Sequence, residues 1–146
     1  MCKVQGPDGY LYEPVWINPQ DATARGIRDG DIVKIYNERG AILGGARVTE
    51  RIIPGAVSQD HGARHDPIAP ELDRGGSNNI ISPRGLVSRN CLGVVTSGFL
   101  VEIERVDLAE LRDNYPEAFK REYNPASGLL FNAWVIDDEV TEGKKW

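Results

Sequence analysis

The chain has 146 residues, enough for one domain with its own core, and its 40% hydrophobic and 27% charged residues are typical of a soluble globular protein. The net charge of −5 argues against a general nucleic-acid binder, whose surface would be basic. Cys2 and Cys91 are too few for a disulfide scaffold or a four-cysteine zinc site, so we expect two free thiols in a reducing, cytoplasmic setting.

The apolar segments are too short for membrane insertion. None approaches the ~20 residues of a membrane-spanning helix, and the N-terminus lacks the basic and then apolar stretch of a signal peptide. We therefore expect no membrane partner.

The first clear elements are a short strand and a helix in EPVWINPQDATARGI (13–27). Asn18 is a good N-cap, Pro19 suits the first helical position, and Asp21 lies in the first turn near the positive end of the helix dipole. Gly26 predicts the end of the helix after about two turns.

A β-hairpin is predicted next. IVKIYN (32–37) alternates in polarity, ERG turns, and AILGGARVTE (41–50) returns. The alternation predicts one buried face, and Gly44 and Gly45 indicate a bulge or a close backbone approach.

The second half of the chain is predicted to return to strand and then helix. AVSQ (56–59) is a short strand, residues 64–88 have little periodicity, and CLGVVTSGFLVEIERV (91–106) has strand character. DLAELRDNYPEAFKREY (107–123) has helical spacing broken by Pro116, and the last residues are expected to fray. This order predicts a small, mainly β barrel with helical additions.

Both histidines lie in VSQDHGARHDP (57–67). His61 and His65 have the spacing of a helical zinc pair, but Gly62 stands between them and Pro67 follows, which argues against a helix. A metal would need Asp60 or Asp66 as further ligands. The other interpretations are a polar loop without a special role and a loop that contacts a ligand.

The segment LDRGGSNNIISPRG (72–85) favours the ligand-contacting interpretation, although a solvated turn-rich loop has the same composition. Its two consecutive glycines would let the backbone come close to a ligand, and Ser77, Asn78 and Asn79 offer hydrogen-bonding groups. Arg74 and Arg84 could meet phosphates.

The order of these motifs resembles the C-terminal molybdopterin-dinucleotide-binding domain of the dimethyl-sulfoxide-reductase superfamily, over roughly Val15 to Val106. In outline that domain reads Ile-Asn/His-Pro-x-Asp-Ala, Gly-Ile, Gly-Asp-x-Val, Asn-x-Arg-Gly, Pro-Gly and His-Gly, with a Gly-x-Asn segment later. The matching residues are Asn18, Pro19, Asp21, Ala22, Gly26, Ile27, Gly30, Asp31, Val33, Asn37, Arg39, Gly40, Pro54, Gly55, His61, Gly62, Gly76, Asn78 and Asn79.

Within the superfamily, DHGARHDP, RGGSNNIISP and the C-terminal YPEAFKREYNPASGLLFNAWV most resemble the pyrogallol–phloroglucinol transhydroxylase large-subunit branch. The chain departs from most relatives at Ala63, where a Trp usually follows His-Gly. The resemblance implies a six-stranded double-psi β barrel over residues 1–106, with residues 107–146 forming a helix and tail packed on it.

The resemblance also implies a function. The barrel would bind the pterin and guanine of a bis(molybdopterin guanine dinucleotide) cofactor, without catalysing a reaction alone. Molybdenum or tungsten would be held by upstream catalytic domains, the expected partners in an oxidoreductase or transhydroxylase. The implied cofactor-binding residues are Asn18, Asp21, His61, Gly62, Gly76, Asn78 and Asn79, with His65 structural or on the substrate side.

Two other functions stay open from the residues. A small metal-dependent hydrolase would use His61, His65 and Asp66. An interaction module would expose apolar surface around Trp16 or Trp134.

Overall fold

The computed structural model describes residues 3–83, 85–88, 91–95 and 97–122, with backbone alone for 86, 87 and 91–94. It is mainly β, as predicted. The strands are β1 (Val4–Gln5), β2 (Leu11–Tyr12), β3 (Pro14–Ile17), β4 (Ile32–Asn37), β5 (Gly40–Val48), β6 (Val57–Gln59), β7 (Pro67–Ala69), β8 (Leu72–Asp73), β9 (Leu86–Ser88), β10 (Cys91–Val94) and β11 (Glu102–Arg105). The helices are α1 (Pro19–Ala24), α2 (Leu108–Asn114) and α3 (Pro116–Phe119), with a 3-10 turn at Asn78–Ile80.

The main sheet has seven strands arranged around β5. Five follow the order β11-β4-β5-β3-β6, while β8 pairs with β5 and β7 pairs with β8. The β3–β5 and β5–β8 pairs are parallel, and the other pairs of this sheet are antiparallel. Two further antiparallel pairs, β1–β2 and β9–β10, lie outside this sheet. The pairing of the described strands is open and does not close into a barrel.

The early helix and the hairpin form where the sequence predicts them. The Asn18 side chain accepts a hydrogen bond from the Gln20 amide, Pro19 opens α1, and the helix ends at Ala24. β4 and β5 pair in register from Ile32↔Gly45 to Asn37↔Gly40, with residues 38 and 39 in the turn.

Both faces of the β4–β5 pair are buried, whereas the alternation predicted one buried face. Val33 and Ile42 belong to one apolar cluster, and Ile32 and Leu43 belong to a second. All four side chains are 4% exposed or less. Burying a side chain of this size contributes roughly 1.5–3 kcal/mol, so both clusters support the sheet.

Gly44 and Gly45 mark close approaches and not a bulge, because the β4–β5 register continues unbroken through them. A Cβ added at Gly44 would lie 2.3 Å from Val15 Cγ2, and one at Gly45 would lie 2.2 Å from Val4 Cβ. Val15 and Val4 therefore fill the space next to β5 that side chains would otherwise occupy.

The predicted break of the late helix at Pro116 is confirmed, since α2 ends at Asn114, Tyr115 lies between the helices, and Pro116 begins α3. Leu108 and Ala118 are buried in the second cluster, with Phe119 packed against it. The predicted tail, 123–146, lies outside the described residues. The predicted domain division at residue 106 stays a prediction.

Residues 64–88 contain more structure than their composition predicts. The segment includes β7, β8, the 3-10 turn and β9. β8 forms through long-range pairing with Ala41 and Ile42 of β5, which no local pattern reveals. In the described part of the chain, no helix has the length and apolar content that crossing a bilayer requires.

Candidate functional site

The two loops rich in glycine, histidine and asparagine come together. Asn78 Nδ2 lies 3.4 Å from the Asp60 carbonyl oxygen, and Gln59 Nε2 donates to the Gly76 carbonyl at 3.2 Å. The 3-10 turn at Asn78–Ile80 thus lies beside the end of β6. The family resemblance requires this convergence, because it implies that His61 and Gly62 of one loop and Gly76, Asn78 and Asn79 of the other bind one cofactor.

A buried carboxylate, Asp73, holds the same two loops. It is 0% exposed, accepts from the Asp66 amide at 2.6 Å with Oδ1, and accepts from the Ser77 amide at 2.7 Å with Oδ2. His65 Nδ1 lies 3.0 Å from Asp73 Oδ1, although the His65 side chain is 54% exposed. This position assigns His65 a structural contact, one of the two roles predicted for it.

The consecutive glycines bring protein segments together. A Cβ at Gly75 would lie 1.7 Å from the Arg64 carbonyl oxygen, and one at Gly76 would lie 2.7 Å from Gln59 Nε2. Gly76 also has φ +84°, a conformation that favours glycine. In the described residues, the close approach predicted for a ligand is therefore an approach between two loops.

A cavity of about 230 Å³ opens beside this junction. Its polar lining includes Ser58, Gln59 and Asn78. Its apolar lining comes from Ile35, Val57, Ile81, Phe99 and Val101. The cavity is smaller than a typical pocket for a whole drug-sized ligand, so it suits a single planar ring system.

A second cavity of about 280 Å³ adjoins the first, since Val57, Gly98, Phe99 and Val101 line both. Asp21, Arg25 and Gly55 line the second cavity alone. We call the two cavities together the groove. Residues from β6 and from the segment leading into β11 line it, so the groove lies between the two edges of the main sheet.

Asp21 and Arg25 give one end of the groove its polar character. Asp21 Oδ2 accepts from the Gly55 amide at 2.7 Å, and Arg25 Nη1 lies 3.7 Å from Asp21 Oδ1. The Arg25 side chain is 38% exposed. The Arg25 guanidinium, which lies beside Asp21, can form a hydrogen-bonded ion pair with an anionic group that enters the groove.

Asn18 is buried behind this end of the groove. Its Oδ1 caps α1, and its Nδ2 donates to the Ile52 carbonyl at 2.7 Å. These bonds place the loop that carries Gly55. The positioning role that they indicate is indirect, whereas the family resemblance implies direct contact with a cofactor.

The remaining predicted residues lie on the surface near the junction. His61, Gly62 and Asn79 are exposed, and Gly62 has φ +96°. None of the three is among the residues that line the two described cavities. Their predicted role as cofactor contacts stays a prediction.

Arg74 has a different position from the one predicted for a phosphate ligand. Its side chain is 4% exposed, and Nη2 donates to Asp8 Oδ2 at 2.7 Å. The guanidinium lies 4.2 Å from the Tyr10 ring centroid and 4.5 Å from that of Phe119. Arg74 therefore joins the N-terminal strands to α3. Arg84 lies outside the described residues.

Tyr12 belongs to the same buried group. Its hydroxyl donates to Asp8 Oδ2 at 2.7 Å. Burial raises the pKa of the Tyr12 phenol well above its ordinary value, and the nearby Arg74 charge opposes that rise.

The structure gives the hydrolase alternative no support. His65 contacts Asp73, and Asp66 Oδ1 accepts from Arg121 at 2.6 Å. Among the described residues, no group of three or more His, Cys, Asp or Glu side chains could hold a metal ion.

The interaction-module alternative predicts exposed apolar surface around Trp16 or Trp134, and the described residues offer little of it. Trp16 is partly buried and lines a cavity with Arg47 and Arg51, so its surroundings are charged. Among the described residues, the exposed large hydrophobic side chains are Ile53, Leu100 and Tyr115. Trp134 lies outside the described residues.

Sequence reasoning missed three parts of the groove: Gln59, Arg25 and Phe99. Gln59 was assigned only to a short strand, and the sequence analysis did not single out Arg25. Phe99 lies far along the chain in a segment assigned to strand. Only the long-range pairing of the sheet brings them together, so no local signal identified them.

Comparisons with known proteins agree on one family. The family model described as "Molydopterin dinucleotide binding domain" matches residues 5–89. The chain is 41% identical over 104 residues to the pyrogallol hydroxytransferase large subunit of Pelobacter acidigallici, covering 68% of this chain and 12% of that relative. It is 44% identical over 102 residues to a trimethylamine-N-oxide reductase of Salmonella typhimurium, covering 64% and 11%.

A third relative is the dimethyl sulfoxide/trimethylamine N-oxide reductase of Cereibacter sphaeroides, 39% identical over 98 residues that cover 64% of this chain and 12% of the relative. These matches confirm the predicted superfamily and the predicted similarity to the transhydroxylase branch. The chain spans only 11–12% of the length of these three relatives.

Proposed function

Because the chain belongs to the molybdopterin dinucleotide binding domain family, we propose that its groove binds part of a molybdopterin guanine dinucleotide within a larger molybdenum or tungsten enzyme. The single observation that carries this proposal is the groove, where the two predicted loops converge beside Gln59 and Arg25. The domain alone would bind the cofactor and would not turn over a substrate.

The residues present fit such a group in three respects. The apolar lining around Phe99 suits a flat heterocycle, and Arg25 at the other end offers a cation to a phosphate. The Oε1 atom of Gln59 is a buried acceptor without a hydrogen-bond partner in the described residues. A heterocycle with an N–H group would supply the missing donor.

The seven predicted cofactor-binding residues take different parts in this proposal. Asn78 lines the groove and Asp21 orients Arg25. Asn18 and Gly76 position the loops, and we propose that the exposed residues His61, Gly62 and Asn79 contact the dinucleotide outside the groove. The cofactor would supply the redox-active metal, whereas this chain binds and orients its organic part.

We also propose that strands of the main sheet form a six-stranded double-psi β barrel. β6 and β11, the two ends of the five-strand path, both line the groove, which is the arrangement expected of a nearly closed barrel. An experimental structure with the cofactor bound tests this proposal. A sheet whose edges lie apart would contradict it.

Cofactor content is the direct test of the function. The chain is produced in a bacterial host that makes molybdopterin guanine dinucleotide and, as a control, in one that cannot complete its synthesis. We expect oxidised pterin fluorescence and released GMP in a one-to-one ratio from the first host only. Pterin-free protein from both hosts would contradict the proposal.

The partner is a separate question with its own test. We propose that upstream catalytic domains bind the chain, since the relatives are much longer proteins. Mixing the chain with the missing portion of the enzyme should give a co-eluting complex and restore metal-dependent activity. Separate elution with no activity would contradict this proposal.

A further inference from the structure

The side-chain amide of Gln59 is held in one orientation. Nε2 donates to the Gly76 carbonyl at 3.2 Å, and Gly76 leaves the space that this approach needs, since a Cβ there would lie 2.7 Å from Nε2. With the donor end fixed, the acceptor end is fixed as well. Oε1 is buried and has no hydrogen-bond partner among the described residues.

A buried carbonyl oxygen without a donor is unfavourable, so native proteins rarely leave one unsatisfied. Gln59 lines the smaller cavity of the groove, where Ile35, Ile81 and Phe99 form apolar walls. The walls favour a flat ring, and the acceptor favours a ring that carries an N–H group at its edge. Each requirement comes from a different set of atoms.

We propose that Gln59 determines specificity in the groove by accepting a hydrogen bond from the 2-amino-4-oxopyrimidine edge that guanine and pterin share. This edge presents a ring N–H next to an exocyclic amino group, whereas adenine presents a ring nitrogen lone pair beside its amino group. An adenine ring in the same orientation would turn that lone pair toward Oε1. The inference rests on the proposed function and adds the atom that selects the heterocycle.

The position of Arg25 agrees with this orientation. Its cavity adjoins the one that Gln59 lines, and the two share Gly98 and Phe99 in their lining. A nucleotide whose base lies at Gln59 would extend its phosphate toward Arg25. The groove therefore has one end for a ring and one end for an anion.

The experiment measures binding of GMP and AMP to the full chain by calorimetry, together with the Gln59 side-chain amide resonance by NMR. We expect GMP to bind about ten-fold more tightly than AMP, the usual effect of one hydrogen bond to a buried group. We expect Gln59→Met, which keeps the length and flexibility of the side chain, to bind both within about two-fold. Gln5→Met, at the exposed glutamine of β1, is the matched control and should keep the preference.

The pterin end is tested with neopterin in the same assay. Competition between neopterin and GMP, or Gln59-dependent binding of neopterin alone, supports the proposal and identifies which half of the dinucleotide lies there. Equal binding of GMP and AMP to the unmutated chain, with neopterin independent of Gln59, overturns it while leaving the proposed function in place. If neither GMP nor neopterin binds the unmutated chain, both proposals fail. The comparison of nucleotides on the unmutated chain decides the question even if Gln59→Met does not fold.

Discussion

At the scale of single residues, the junction of the two loops depends both on the missing side chain of a glycine and on the hydrogen bonds of a buried carboxylate. Gly75 has no side chain where the Arg64 carbonyl passes, and Asp73 supplies the acceptors for amides of both loops. The missing side chain and the hydrogen bonds act together, because both loops can donate to Asp73 only if their backbones can come close to each other.

Gly75→Ala tests the close approach. Its Cβ would lie 1.7 Å from the Arg64 carbonyl oxygen, a backbone atom that can move only with its loop. We expect a loss of about 3 kcal/mol in the free energy of unfolding, the upper end of the cost of overpacking. Urea unfolding measures it.

Gly85→Ala is the matched control, because no atom of the described residues lies within 4 Å of its added Cβ. Equal stability of the two variants would show that the loops do not meet at Gly75.

Tyr12 predicts a loss of stability at high pH. Burial raises the pKa of its phenol above the ordinary 10.0, so the folded protein keeps a proton that the unfolded chain releases. The contribution is complete below pH 10, and it declines by up to about 1.4 kcal/mol per pH unit above that value.

Tyr12→Phe cannot ionise and should remove this part of the decline. Urea unfolding of both proteins at pH 9 and pH 11 gives the difference, and the other titrating groups, common to both proteins, cancel. The same pH dependence in both proteins would contradict the prediction.

At the scale of elements, α1 and the loop after β5 form one unit through Asn18. One side-chain atom caps the helix and another holds the Ile52 carbonyl. Asp21 adds the bond to the Gly55 amide from inside the helix. The end of the groove near Arg25 therefore depends on a helix of six residues.

Two substitutions at Asn18 separate its roles. Asn18→Ala should cost about 1 kcal/mol for the cap, with a further roughly 1–3 kcal/mol for the stranded Ile52 carbonyl. Asn18→Ser keeps a capping oxygen but cannot donate to Ile52, so only the second cost should remain. Hydrogen exchange at the Gly55 amide should accelerate in both variants, and unchanged exchange would contradict the link.

The elements that sequence alone predicts are those whose cause is local. The Asn18 cap, the turn at residues 38 and 39, and the break at Pro116 each depend on neighbours in the chain. β8 depends on β5, which begins more than 30 residues earlier, and composition alone predicted a loop there. The same reason explains the site, since Gln59, Arg25 and Phe99 meet only after the sheet has formed.

At the scale of the whole molecule, the sheet needs cover on both faces. The first cluster includes Val15 and Ile103, and the second brings Leu43 together with Leu108 of α2 and Ala118 of α3. The two C-terminal helices are therefore part of the core. Arg74 strengthens this attachment by stacking between Tyr10 and Phe119.

Truncation tests the contribution of the helices and the predicted division at residue 106. A chain that ends at Val106 should lose about 3 kcal/mol or more against one that ends at Glu122, since it gives up the burial of Leu108 and Phe119. Chemical unfolding and binding of a hydrophobic dye measure the loss and the uncovered face. Equal stability and no dye binding would assign the helices no part in the core.

The side chains of Val15 and Val4 occupy the space beside β5 that Gly44 and Gly45 leave empty. β1 thus contributes the Val4 side chain to a site where the β5 backbone carries no side chain of its own. A shortened protein that starts after β1 would leave the space beside Gly45 empty, and we expect a peptide that carries Val4 to fill it again. Removing β1 would therefore take one buried side chain, Val4, out of the core.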